Sequence, residues 1–106
     1  DLVLGAKAAV APGCVVGSGC VLGDRANVKR SVLGRRCRLG AGARVINCVL
    51  MDGASVGDGA QLQNCIVCEG ADVQEIATLR DCQVGPGFVV GARSDFRGET
   101  LARNSQ

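Results

Sequence analysis

The chain has 106 residues with no histidine, tryptophan or tyrosine, and its only aromatic residues are Phe88 and Phe96. A core built around a few large side chains is therefore excluded, so many small aliphatic side chains must be buried in a regular arrangement. Lysine occurs only at Lys7 and Lys29, and no stretch matches the GxxxxGK[ST] pattern of a phosphate-binding loop. No run reaches the roughly 18 apolar residues that a membrane-spanning helix needs.

What the chain does contain indicates one folded domain. Apolar residues make up 47% of the sequence and the net charge is +2, which is not the composition of a disordered or polyanion-seeking protein. The sixteen glycines are about twice the usual share. The sequence starts at Asp1 within its own pattern, without Met or a signal peptide, and we expect a fragment of a longer protein.

Aliphatic residues recur every five or six positions along the sequence, and from Val28 onward the steps follow a repeating cycle of 5, 6 and 6. The series comprises Leu4, Val10, Val16, Leu22, Val28, Leu33, Leu39, Val45, Leu50, Val56, Leu62, Val67, Val73, Leu79, Val84 and Val90, followed by Phe96. Such spacing does not keep one face of an α-helix, whereas hexapeptide units are typical of a parallel β-helix. Each unit supplies a short strand and a corner, where glycine tolerates an unusual backbone conformation.

The fold predicted from this repeat is all-β: a left-handed, single-stranded parallel β-helix of about five triangular coils over residues 1–96, with residues 97–106 as a C-terminal tail. Period-2 alternation sends the aliphatic residue of each unit inward together with the small residue two positions before it. The small residues form three columns. They are Cys14, Ser31, Cys48, Cys65 and Cys82; Cys20, Cys37, Ala54, Ala71 and Phe88; and Ala26, Ala43, Ala60, Ala77 and Ser94.

The seven cysteines have three interpretations: a metal site, a set of disulfides, or core filling. Zinc needs thiolates about 3.7–3.8 Å apart around one ion, whereas successive rungs place them about 4.8 Å apart in a line. Disulfides between parallel neighbours would be strained, because the bond needs a dihedral angle near 90°. We therefore interpret the cysteines as small apolar residues that stay reduced, with no metal.

No catalytic residue is predicted. Acyltransferases of this fold use histidine as the general base, and carbonic anhydrases of this fold bind zinc through histidine, yet this sequence has none. Its carboxylates fall on corners or outward positions, which is typical of a solvated surface. The sequence therefore predicts a protein that is not an enzyme and needs no cofactor.

Two outward-facing features are candidates for a partner surface. Val15, Val32, Val49 and Ile66 form an apolar stripe along one face, flanked by Ile46, Met51 and Cys68. The stripe is either covered by another part of the same protein or contacts a different chain.

The second feature is a cationic segment with no acid between its members: Arg25, Lys29, Arg30, Arg35, Arg36, Arg38 and Arg44. It either docks an acidic protein or keeps the surface solvated; because no aromatic residues are interleaved with these charges for base stacking, direct nucleic-acid binding is not expected.

The segments "VKRSVLGRRC", "VINCVLMDGASVGDGAQLQNCIVCEGADV" and "LRDCQVGPG" resemble the C-terminal β-helix of the gamma subunit of eukaryotic translation initiation factor 2B, over residues 4–92. The resemblance implies a cytoplasmic guanine-nucleotide exchange complex. In that complex the gamma subunit pairs with the epsilon subunit, which carries the exchange domain that releases GDP from initiation factor 2. Departures from the family pattern are Ile76, at a corner usually given to glycine or a polar residue, and Phe88, which is large for an inward position.

The function predicted from the resemblance is a non-catalytic scaffold that binds the epsilon subunit, with the other exchange-complex subunits and initiation factor 2 as further partners. A homodimer of the isolated chain is a further expectation, and no membrane partner is expected. The alternative is the C-terminal oligomerisation or regulatory β-helix of a sugar-nucleotide pyrophosphorylase, similar to mannose-1-phosphate guanylyltransferase. A nucleotidyltransferase signature upstream would favour that alternative.

Overall fold

The computed structural model describes residues 1–103, which form eighteen short strands and no helix. In chain order the strands are β1 (Val3–Leu4), β2 (Ala9–Val10), β3 (Val15–Val16), β4 (Val21–Leu22), β5 (Asn27–Lys29), β6 (Val32–Leu33), β7 (Arg38–Leu39), β8 (Arg44–Ile46), β9 (Val49–Leu50), β10 (Ser55–Val56), β11 (Gln61–Gln63), β12 (Ile66–Val67), β13 (Asp72–Val73), β14 (Thr78–Arg80), β15 (Gln83–Val84), β16 (Val89–Val90), β17 (Asp95–Arg97) and β18 (Thr100–Leu101). Across these residues the structure contains no helix long and apolar enough to cross a membrane.

Every third strand pairs in parallel with the strand one coil further along, which produces three six-stranded sheets. We name them face A (β1, β4, β7, β10, β13, β16), face B (β2, β5, β8, β11, β14, β17) and face C (β3, β6, β9, β12, β15, β18). The chain is a left-handed parallel β-helix of three-sided coils, which confirms the predicted fold class. It has about six coils, one more than the spacing of the aliphatic residues predicted.

The two predicted sets of inward residues build one continuous core. Leu22, Leu33, Leu50, Leu62 and Leu79 are at most 1% exposed, and the small residues of the three columns fill the space between them. The columns loosen at their ends, where Cys14, Phe88 and Ser94 are only half-buried. Phe88 still packs against the core, together with Phe96. A single coil could not bury such small side chains, so stacking supplies the core.

Two kinds of glycine occupy the corners, and only one matches the predicted reason. Gly42 has a φ of 69° and uses the left-handed conformation that glycine adopts readily. Gly40, which directly follows an aliphatic residue, does not. A Cβ at Gly40 would lie 2.6 Å from the backbone nitrogen of Asp58 in the next coil. Glycine is needed there because successive corners approach each other closely.

The repeat extends beyond the predicted boundary at residue 96. Strand β17 ends at Arg97, and strand β18 pairs with β15 so that Leu101 lies beside Val84. Leu101 comes five positions after Phe96 and so continues the cycle, but Glu99 occupies the position that cysteine or serine holds in the other coils. Because this charged residue breaks the pattern of small residues, the last repeat unit is not recognisable from the sequence. Of the predicted tail, residues 104–106 lie outside the described residues.

Candidate protein interaction surface

The apolar stripe predicted from the sequence is a straight row on face C. Val15 pairs with Val32, Val32 with Val49, and Val49 with Ile66, each in the register of neighbouring strands. Their side chains are 61%, 44%, 39% and 40% exposed, in chain order. The row continues into Gln83 and Thr100, which are polar, so the stripe covers the first four coils only.

The two-residue strands of face C explain why these side chains point outward. Val32 and Leu33 are consecutive in one strand, so their side chains take opposite sides of the sheet. Leu33 is 1% exposed and fills the core, which leaves Val32 on the surface. The same alternation holds for Val49 and Leu50. Burial of the aliphatic series therefore fixes the position of the stripe.

One edge of face C is a ladder of side-chain amides. Asn47 donates its side-chain N–H to the side-chain oxygen of Asn64 at 2.6 Å, and Asn64 donates in turn to a carboxylate oxygen of Asp81 at 3.2 Å. All three residues have φ near 55°, a left-handed conformation that asparagine and aspartate tolerate. Arg30, with φ of 48°, occupies the same corner one coil earlier. This edge is polar and held in place by neighbouring coils.

The opposite edge of face C carries charges and the two flanking residues Met51 and Cys68. Met51 and Cys68 are half-buried, and each directly follows a face C strand. Asp52 accepts a hydrogen bond from the backbone N–H of Arg35 at 2.8 Å, which joins two successive coils. The stripe therefore lies between two polar edges, an arrangement found in protein–protein interfaces with an apolar centre and a polar rim.

Ile46 does not flank the stripe as predicted. It is the last residue of strand β8 on face B, where its neighbours in register are Lys29 and Gln63. The corner residue Asn47 separates it from face C. The five-residue step lengthens the face B strand by one residue, and this moves Ile46 off the stripe.

The cationic segment between Arg25 and Arg44 is a belt around the coils, not a patch on one surface. Arg38 lies on face A, Lys29 and Arg44 lie on face B, and none of the seven lies on a face C strand. The others sit on corners: Arg25 between faces A and B, Arg30 between B and C, and Arg35 and Arg36 between C and A. Because one coil needs about seventeen residues, a run of charges in the sequence is wound around all three sides.

The cysteine column beside face C has a role beyond volume. Cys48, Cys65 and Cys82 each donate the thiol hydrogen to the backbone carbonyl two residues earlier, at 3.2 Å. Ser31 does the same through its hydroxyl at 2.7 Å, and its oxygen accepts the backbone N–H of Cys48 at 3.0 Å. Each of these carbonyls also accepts a backbone N–H from the next coil, so the thiol or hydroxyl supplies a second hydrogen bond beside the tight corner between faces B and C. The interpretation as purely apolar filling missed them; the serine in the column was the available signal.

Two of these thiols have a raised pKa. Burial raises the pKa of the Cys37 thiol to about 11, and proximity to Cys20 adds to this effect. The hydrogen bond with Cys65, together with burial, raises the pKa of Cys48. All seven cysteines are free thiols. Among residues 1–103, the structure brings no three thiol, carboxylate or imidazole groups together as metal ligands.

Solved structures share this fold with the chain. The UDP-N-acetylglucosamine acyltransferase of Arabidopsis matches with a TM-score of 0.63 at 16% identity, covering 95% of this chain and 51% of the enzyme. The acetyltransferase domain of PglB from Neisseria gonorrhoeae matches with a TM-score of 0.62 at 25% identity, covering 97% of this chain and 55% of that domain. The chain thus spans about half the length of each. No curated protein matches the chain significantly.

The PglB match corrects the prediction that the protein is not an enzyme, because that domain, 25% identical to this chain, is described as an acetyltransferase domain. The prediction rested on the absence of a single catalytic residue type, histidine. That absence does not distinguish this chain from enzymes of the same fold.

The family match covers residues 1–96, nearly the whole β-helix, and its description is EIF2B subunit epsilon LbH domain, where LbH denotes the left-handed β-helix. The resemblance seen in the sequence was to the gamma subunit of the same factor, and this match does not confirm that subunit. The class of domain does agree with the resemblance. The chain belongs to the family of left-handed β-helix domains of the EIF2B epsilon subunit.

Proposed function

We propose that this β-helix is an interaction domain of a translation initiation guanine-nucleotide exchange factor, and that face C binds the other member of the gamma–epsilon pair in the cytoplasm. The family match over residues 1–96 supports this proposal and favours it over a pyrophosphorylase domain. The observation that carries it is the exposed row of Val15, Val32, Val49 and Ile66 in strict register. Seven free thiols suit a reducing compartment.

The size of face C limits what this contact does alone. Six strands about 4.8 Å apart and a width near 20 Å give a flat area of roughly 500 Å². Stable interfaces bury about 800 Å² on each partner. Face C therefore supplies the apolar centre of a larger interface, and other parts of the subunit contribute the remainder.

The corner arginines add a charge preference to this surface. Arg30 lies on one edge of face C and Arg35 and Arg36 lie on the other, so both edges are cationic near Val32. A partner with acidic side chains around an apolar centre would complement this arrangement. Such rim charges mainly accelerate association, and salt screens their effect.

The test replaces Val32 and Val49 with glutamate in the full subunit and measures co-purification with the other exchange-complex subunits. Two buried carboxylates without partners cost several kcal/mol, so we expect binding to weaken at least a hundredfold. Gln83→Glu is the control, because it adds one carboxylate on the same face beyond the stripe. Circular dichroism checks that the double variant stays folded. Pairing unchanged by the double substitution would rule out face C.

A further inference from the structure

Face B differs from the other two faces because it presents two outward rows of side chains. Five of its six strands have three residues, so both the first and the third residue of each point outward. In register, the first row contains Asn27, Arg44, Gln61, Thr78 and Asp95, and the second contains Lys29, Ile46, Gln63, Arg80 and Arg97. The two rows form walls, and a cleft lies between them.

This cleft has a volume of about 180 Å³ and is lined on its walls by Arg44, Ile46, Gln61, Gln63, Thr78 and Arg80. It could hold several water molecules, each of which occupies roughly 30 Å³. Its floor is the strand backbone at Leu62 and Leu79, whose side chains fill the core. The cleft is therefore shaped by strands that the core holds in place.

The lining contains basic and hydrogen-bond-donating side chains and no carboxylate. Its only ionisable side chains are two arginines, and its remaining polar groups are two amides and one hydroxyl, all of which can donate hydrogen bonds. The nearest acid in either row is Asp95, one coil beyond Thr78, and Lys29 and Arg97 continue the cationic character above and below. This composition suits an anion.

The register places the two arginines at diagonal corners of the cleft. Arg44 and Arg80 are two coils apart and belong to different rows, so about 9.6 Å along the axis and about 6.6 Å along the strand separate them. Their Cα atoms are therefore roughly 12 Å apart. An extended arginine side chain spans about half this distance, so both guanidinium groups can reach one group bound between them.

We propose that the face B cleft binds a phosphate monoester, clamped between Arg44 and Arg80. A phosphate monoester carries a charge of about −1.5 to −2 and three acceptor oxygens, which two guanidinium forks neutralise and bond in pairs. Gln61, Gln63 and Thr78 donate to the remaining oxygens. A lone carboxylate has one charge and two oxygens, and leaves part of this donor set unused. The site lies on a different face from the stripe, so it does not depend on the proposed partner contact.

The experiment titrates the chain with inorganic phosphate and follows the side-chain N–H signals of arginine and glutamine by NMR. We expect saturable chemical-shift changes for Arg44, Arg80, Gln61 and Gln63, with an affinity for phosphate that falls as the salt concentration is raised. Arg44→Ala and Arg80→Ala should each lower the affinity about tenfold or more, since each removes a charge-assisted pair of hydrogen bonds. Arg103→Ala, which removes the same charge near Gly87 and away from face B, should leave the affinity unchanged.

Two further ligands identify the source of the phosphate. If a phosphoserine peptide binds more tightly than a nucleoside monophosphate, the natural ligand is a modified protein segment; the reverse order indicates a small metabolite. The site is disproved if none of the three ligands gives saturable shifts, or if binding survives both arginine substitutions. Both arginines are exposed, so backbone chemical shifts should show intact folding in the variants.

Discussion

At the scale of single residues, the core depends on aliphatic side chains that neighbouring coils complete. Leu62 is 1% exposed and lies between Val45 and Leu79 in register. We expect Leu62→Ala to lower the free energy of unfolding by about 2–5 kcal/mol, because the cavity is enclosed by coils on both sides. Urea denaturation measures this change. Gln83→Ala, at an exposed outward position, should change stability by less than about 0.5 kcal/mol, and an equal loss for both variants would contradict this description of the core.

The thiols give a second prediction at this scale. Cys14 and Cys68 are half-buried, whereas Cys20, Cys37, Cys48, Cys65 and Cys82 are at most 2% exposed. At pH 8 we expect iodoacetamide to modify at most the first two in the folded chain, since the reagent needs an accessible thiolate and burial raises the pKa of Cys37 to about 11. Mass spectrometry counts the adducts, and denaturant should expose all seven. Rapid modification of Cys37 in the folded state would contradict this.

Individual inward residues were predictable because the buried aliphatic side chains recur at regular intervals in the sequence. Every aliphatic residue from Leu22 to Val90 in the series is buried, as expected. The hydrogen bonds of the cysteine column were not predictable in the same way. Ser31 was their one signal in the sequence, and the corner geometry shows that the thiol of Cys48 reaches a carbonyl oxygen at 3.2 Å.

At the scale of strands and corners, Ile76 is the clearest local conflict between sequence and fold. It is 50% exposed with a φ of 63°, a conformation that costs a β-branched residue about 1–2 kcal/mol. Gly42 and Gly59 hold the equivalent corner in the two preceding coils. We expect Ile76→Gly to raise the free energy of unfolding by about 1 kcal/mol through relief of this strain, and the entropy that glycine gains in the unfolded chain reduces this increase. Thermal denaturation measures the net change in stability.

The matched control for this corner is Gly59→Ile, which places the same β-branched side chain one coil earlier. It should destabilise by about the amount that Ile76→Gly recovers. If Ile76→Gly is instead destabilising, the side chain of Ile76 makes a favourable contact at this corner. The sequence had singled out Ile76 as a departure, but its left-handed conformation is visible only in the structure.

The strands and corners also explain which surface features could be predicted from the sequence. The stripe was predictable because alternation within a strand fixes its outward side once the inward side is known. The cationic belt and the face B cleft were not, because both depend on how many residues each corner uses. The five-residue step replaces a longer turn with one left-handed residue, such as Asn47, and lengthens the face B strand before it. That extra residue places Ile46 on face B and creates the second wall.

At the scale of the whole molecule, charge is segregated along the axis. Residues 1–49 carry eight cationic and two acidic side chains, whereas residues 50–79 carry five acidic side chains and no cationic one. The belt around Val32 lies in the cationic part, whereas the anion cleft spans the acidic part and has Arg44 and Arg80 at its two ends. A partner bound along the axis therefore faces positive charge at one end and negative charge at the other. This charge distribution favours one orientation of the partner on face C, in addition to the apolar centre.

The stacked coils also predict a gradient of stability along the axis. Each coil contacts only its neighbours, so an end coil opens without disturbing the centre. In the first coil the inward Leu4 is 48% exposed, whereas in the third coil Val45 is fully buried. We expect hydrogen–deuterium exchange of this chain to be slowest for the backbone amides of β8 and β11 and fastest for those of β1. Equal exchange rates along the axis would mean that the coils open together, and the molecule would then behave as one cooperative unit and not as a stack.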